Sequence, residues 1–121
     1  MSAQPIAMEE YIILMRLDLI TKDKQPSPEQ LESYMKMYHD WVGDIAAQNK
    51  FVGGKGLSTE GKVIKSDKLV TDGPFAEIKE SIAGFITIRA ASLDDAAAIA
   101  GKCPILQGEG NSVEVRKIVS K

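Results

Sequence analysis

Residues 27–48 read SPEQLESYMKMYHDWVGDIAAQ, and this stretch decides what kind of fold the chain can build. Ser27 is a helix N-cap, Pro28 suits the first helical position, and Gln30 completes a capping box by reaching back to the cap amide. Leu31, Tyr34, Met35, Tyr38, Trp41, Val42 and Ile45 then recur at spacings of three and four, which predicts one apolar stripe on a helix over 28–48. A face that bulky has to cover something, and a sheet is the natural candidate.

Upstream, Tyr11-Ile12-Ile13-Leu14-Met15-Arg16-Leu17 is nearly continuous in apolar residues, as expected of a central strand covered on both faces. Residues 1–9 are polar and irregular and are expected to fray. Downstream, Phe51-Val52 begins a strand that runs into Gly53-Gly54-Lys55-Gly56. Residues 62–65 and 68–71, joined through Ser66-Asp67, predict a short exposed hairpin, and Asp72-Gly73-Pro74 a turn. Gly84 to Arg89 is rich in β-branched residues and reads as a further strand. Ser92 and Asp95 repeat the capping-box pattern. Leu93, Ala96, Ala97 and Ala100 mark a shorter helix that Gly101 and Pro104 end. Val113 to Val119 closes the chain as a strand.

The order is β-α-β-(hairpin)-β-α-β, an α+β, ferredoxin-like plan in one domain over 1–121, with two helices on one face of an antiparallel sheet. No third helix hides the opposite face, where residues among Ile12, Leu14, Ile86 and Ile88 are expected. That face predicts a homodimer.

Composition narrows the function classes. Fifteen basic and seventeen acidic residues leave a formal charge of −2, so no basic field announces nucleic-acid binding. A lone cysteine, Cys103, excludes an intramolecular disulfide and fits a cytoplasmic protein. One Cys and one His cannot assemble a Cys/His zinc site, and no cofactor motif is present, so neither metal nor cofactor is expected. No apolar run or leader pattern points to a membrane or to secretion. Residues 56–62 nearly match a phosphate-binding loop, but Val63 stands where Ser or Thr should hold the metal, and a strand follows.

Candidate chemistry rests on few side chains. His39 lies on the flank of the first helix and can act as a general base if a carboxylate orients it. Asp72 is that carboxylate if its turn folds over the helix; otherwise His39 is a half-exposed helix residue. Asp72 and Glu77 can handle protons or bind a ligand by holding a cation that a substrate supplies; otherwise Asp72 caps its own turn while Glu77 pairs with Lys79 at the surface. Arg16, Arg89 and Arg116 all fall in strands. Two of them converging would clamp a carboxylate ligand; otherwise they pair with residues such as Glu114. Cys103 reads as a small buried residue, and Tyr34, Tyr38 and Trp41 as core.

The run Asp72-Gly73-Pro74-Phe75-Ala76-Glu77-Ile78-Lys79-Glu80 resembles the signature of the DGPF branch of the YCII-related family. Gly84-Phe85, Asp94-Asp95-Ala96, Cys103-Pro104 and Glu114-Val115-Arg116 fit the same pattern, so the resemblance covers residues 10 to 119. It departs at Ile78, where Thr is common, at Lys117, where Pro is usual, and at Cys103, where the wider family often carries Asp. The resemblance implies a dimeric α+β-barrel and a His–Asp active-site pair, with His39 about one residue out of register. Two functions stay open. One is a proton-transfer enzyme or binder of a small acidic molecule. The other is a non-catalytic dimeric module, which the resemblance links to extracytoplasmic-function sigma factors.

Overall fold

The computed structural model describes residues 7–18, 25–72 and 81–120, the side chains of Thr71 and Asp72 aside. Along the chain these form β1 (Glu9–Arg16), α1 (Pro28–Ala47), β2 (Phe51–Gly56), β3 (Lys62–Ile64), β4 (Val70–Asp72), β5 (Ile82–Ala90), α2 (Leu93–Ala100), a 3-10 turn over Pro104–Gln107, and β6 (Ser112–Lys117). Four strands make an antiparallel sheet in the order β2-β5-β1-β6, while β3 and β4 pair separately as a hairpin. This is the α+β, ferredoxin-like arrangement with two helices and a four-stranded antiparallel sheet. Among the described residues no helix is long and apolar enough to cross a membrane.

Local chemistry sets the helix ends. The Gln30 amide donates to Ser27 Oγ at 3.2 Å and the Ser27 amide donates to Gln30 Oε1 at 2.9 Å, a complete capping box. Asn49 adopts a left-handed φ of 60° and the Lys50 amide returns to the Ile45 carbonyl, which ends the helix. α2 starts on Ser92, whose hydroxyl accepts from the Asp95 amide at 3.1 Å.

One strand face makes the core. Tyr11, Ile13 and Met15 of β1 and Ile86, Ile88 and Ala90 of β5 are buried together with Trp41 and Ile45 of α1 and Ala96 and Ala100 of α2. Small alanines let α2 lie close to the strands. Ile12, Leu14, Phe85, Thr87 and Arg89 alternate to the other face, where they are half-buried.

Three expectations need correction. Ile86 and Ile88 lie on the helix face, at 0% exposure, because Ile86 pairs with Ile13 and Ile88 with Tyr11 across the ladder. The strand starts earlier than its apolar run: Glu9 pairs opposite Ala90 and makes an ion pair with Lys117, so backbone pairing rather than hydrophobicity sets its end. The last strand stops at Lys117, and Val119 beyond it is 89% exposed. The turn over residues 73–80 lies outside the described residues.

Candidate functional site

The two helices differ in reach. At 1.5 Å per residue, α1 is about 30 Å long and α2 about 12 Å, so α1 runs well past the end of α2. The C-terminal half of α1 is the part that joins the core. Trp41 and Ile45 are buried there, and Trp41 Nε1 donates to the Ile99 carbonyl at 3.0 Å, tying α1 to the end of α2. Towards the N-terminus of α1, Leu31 and Met35 remain 51% and 45% exposed.

The uncovered half of α1 forms one wall of a cavity of about 870 Å³. Leu31, Tyr34, Met35 and Tyr38 contribute its apolar and aromatic surface, and Gln30 stands beside the helix start. Leu17 and Asp18, where the chain leaves β1, and Gln25-Pro26 before the helix contribute a second side. Opposite lie Pro104 and Ile105 of the 3-10 turn and the segment Gly108-Glu109-Gly110-Asn111 that leads into β6.

That last wall is braced by its own hydrogen bonds. Asn111 Nδ2 donates to the Ile105 carbonyl at 2.9 Å, the Gly108 amide to the same carbonyl at 3.0 Å, and the Asn111 amide to the Gly108 carbonyl at 3.2 Å. Gly110 supplies the left-handed φ of 80° that the bend needs.

Tyr38 connects cavity to core. Its ring lies 5.9 Å from that of Trp41, tilted by 57°. Burial raises its phenol pKa, and electrostatic interaction with Cys103 pushes the same way, so the group is a neutral hydrogen-bonding hydroxyl at ordinary pH. Cys103 is buried, as expected. Burial raises its thiol too, only partly opposed by a hydrogen bond from the Ile105 backbone, so it is no ready nucleophile.

The residues singled out by sequence fall elsewhere. His39 is exposed on α1, its ring 6.2 Å from that of Tyr38, and it is not among the described lining residues. Asp72 ends β4 at the level of the backbone, and Glu77 lies outside the described residues. Arg16 and Arg116 both approach Glu114, at 2.9 Å and 3.9 Å, on the sheet face away from the helices. Arg89 stands opposite Glu10, at the other end of β1 from Arg16 and about 20 Å away along the strand. The three arginines do not gather at one point. Sequence reasoning placed Tyr34 and Tyr38 in the core and missed their cavity; the mismatch in helix length was the available signal.

The model of the YCII-related domain family matches residues 15–120. A similar solved structure is 5-chloro-2-hydroxyhydroquinone dehydrochlorinase (TftG) from Burkholderia phenoliruptrix AC1100, in complex with 2,5-dihydroxybenzoquinone. It shares 15% identity, covers 93% of this chain and 95% of that chain, and superposes with a TM-score of 0.49. No curated protein matches.

Proposed function

The chain belongs to the YCII-related domain family, and from that premise we propose that it binds a small molecule with an apolar or aromatic body in the cavity between α1 and the segment 104–111. The observation that carries this reading is the cavity of about 870 Å³. It falls within the range of roughly 300–1,000 Å³ usual for ligand sites. It also has the usual makeup of such sites, an apolar and aromatic lining with a few polar groups. A protein-docking module would present a flat or filled surface here, so the cavity favours a ligand binder over the sigma-factor-linked module.

Proton transfer by His39 with Asp72 is the finer reading, and the cavity lends it no support while His39 stands outside its described lining. The acidic-ligand reading draws no support from the described lining residues either. The described lining holds no Lys or Arg, and two of the three strand arginines engage Glu114. In the proposed functional unit two copies pair through their open sheet faces.

Trp41 is the sole tryptophan and adjoins Tyr38, so its fluorescence reports occupancy. Neutral aromatic fragments should change it, and should shift the backbone amide resonances of Tyr34, Tyr38, Ile105 and Gly108 to Asn111. Leu31→Trp, which fills the cavity from an exposed helix position, should abolish those amide shifts while the circular dichroism spectrum stays native. Fragments that shift only amides elsewhere, or shift the same amides in the filled variant, would sink the proposal.

A further inference from the structure

Tyr34, Met35 and Tyr38 stand on the cavity wall that α1 supplies. The two tyrosines are about one helical turn apart, roughly 6 Å along the axis, and Met35 follows the first of them on the same side of the helix. These three side chains share a property that aliphatic lining lacks. A tyrosine ring gains from a second ring set edge-to-face or offset against it, beyond the area buried, and a thioether sulfur gains from the edge of a ring. To a saturated body the same groups offer packing alone. The Tyr38 ring is also held in place by its neighbours. Trp41 Nε1 donates to the Ile99 carbonyl at 3.0 Å, which fixes the indole, and the Trp41 ring stands 5.9 Å from that of Tyr38 at a tilt of 57°. A tilted pair is an arrangement that aromatic rings prefer, and a wall fixed in this way needs little further ordering when a ligand binds.

We infer that the cavity selects an aromatic ring over a saturated body of the same size, with Tyr38 setting the preference. This rests on the cavity being a binding site. It adds the class of body the site takes, which volume and apolarity leave open. The ligand ring is then the next member of the row that runs from Trp41 through Tyr38, with Tyr34 and Met35 beside it.

A matched pair tests the ring while holding size and polarity nearly constant: benzyl alcohol and cyclohexylmethanol, each titrated into the full chain. The backbone amide shifts of Ile105 and Gly108 to Asn111 are the readout. The saturated ring carries slightly more apolar surface, so burial alone favours cyclohexylmethanol. Benzyl alcohol should instead bind about fivefold more tightly, a ratio within the range of one ring–ring contact. Tyr38→Phe keeps the ring and should keep the ratio. Tyr38→Leu keeps an apolar wall without the ring and should bring the ratio to one or below. Tyr38 also packs against the core, so Tyr34→Leu is the second variant, and it should lower the ratio as well. Native amide spectra are the control for folding. Cyclohexylmethanol binding as tightly as benzyl alcohol overturns the ring selection and leaves the binding site standing. A ratio that keeps its wild-type value in the folded Leu variants also overturns it. If neither alcohol shifts these amides, the binding site itself fails, and the ring selection with it.

Discussion

A methyl group on Gly54 would stand 2.5 Å from the Phe85 carbonyl oxygen and 2.7 Å from Ile86 Cγ2. Nothing in the described structure gives Gly54 a positive φ, so it is required there for space rather than for torsion. Its neighbour Gly53 has no atom within 4 Å of the same position. Gly54→Ala should therefore cost about 1–3 kcal/mol, the usual range for overpacking, while Gly53→Ala should stay within about 0.5 kcal/mol. Urea unfolding of the pair checks the contrast. Cys103 and Tyr38 make a second prediction. Both have folded pKa values raised above the ordinary 9.0 and 10.0, so above those values the unfolded chain has lost protons that the folded chain still holds. Stability is thus intact below about pH 9 and falls as pH rises through the raised folded values. Melting temperature measured between pH 8 and 11 should decline, and in Cys103→Ala the decline should begin nearer pH 10, where Tyr38 takes over.

At the scale of elements, α1 supplies both the core and the cavity wall, and its first turn depends on one hydroxyl. Ser27→Ala removes the acceptor for the Gln30 amide and should cost about 1 kcal/mol. The loss falls on the N-terminal half of α1, where Leu31 and Met35 are exposed. Thermal unfolding should record it, and amide exchange should rise in residues 28–35 more than near Trp41. The same helix shows what sequence can and cannot tell. The capping box of α1, the Ser92 cap of α2, the helix stripes and the small residues of α2 are local signals, and both helices were legible from them, whereas the 3-10 turn over Pro104–Gln107 was not. Which way a strand faces is set by its partner: Ile86 and Ile88 are as apolar as Ile12 and Leu14, and only the pairing with Ile13 and Tyr11 sends them inward. The cavity is less local still. It needs residues 104–111 to fold back over a helix some seventy positions earlier, as the Gln107 contact to Met37 shows. No spacing rule links those stretches. His39 was conspicuous because it is the lone histidine, which is a fact about composition rather than about place.

For the whole molecule, the sheet face away from the helices has no covering helix among the described residues. Ile12, Leu14, Phe85 and Thr87 are half-buried there, and none belongs to the core cluster. Around them lie Glu10, Arg16, Arg89, Glu114 and Arg116, charges of both signs on one surface. Under a two-fold axis such a mixed border can meet its own complement, because an isologous interface brings each patch against a copy of the same patch. Acids and bases can then pair across the rim while the apolar residues meet at the centre. We predict a homodimer burying more than about 2,000 Å² in total. Light scattering on the eluting protein should give twice the chain mass at micromolar concentration. Leu14→Glu sets a carboxylate directly opposite Glu114 on the neighbouring strand, on a face that the dimer would keep dry. Leu14 is outside the core, so the variant should keep its native circular dichroism and elute as a monomer. A wild-type chain that scatters as a monomer at that concentration would refute the pairing, since a face used for association must be occupied where the protein is concentrated enough to be measured.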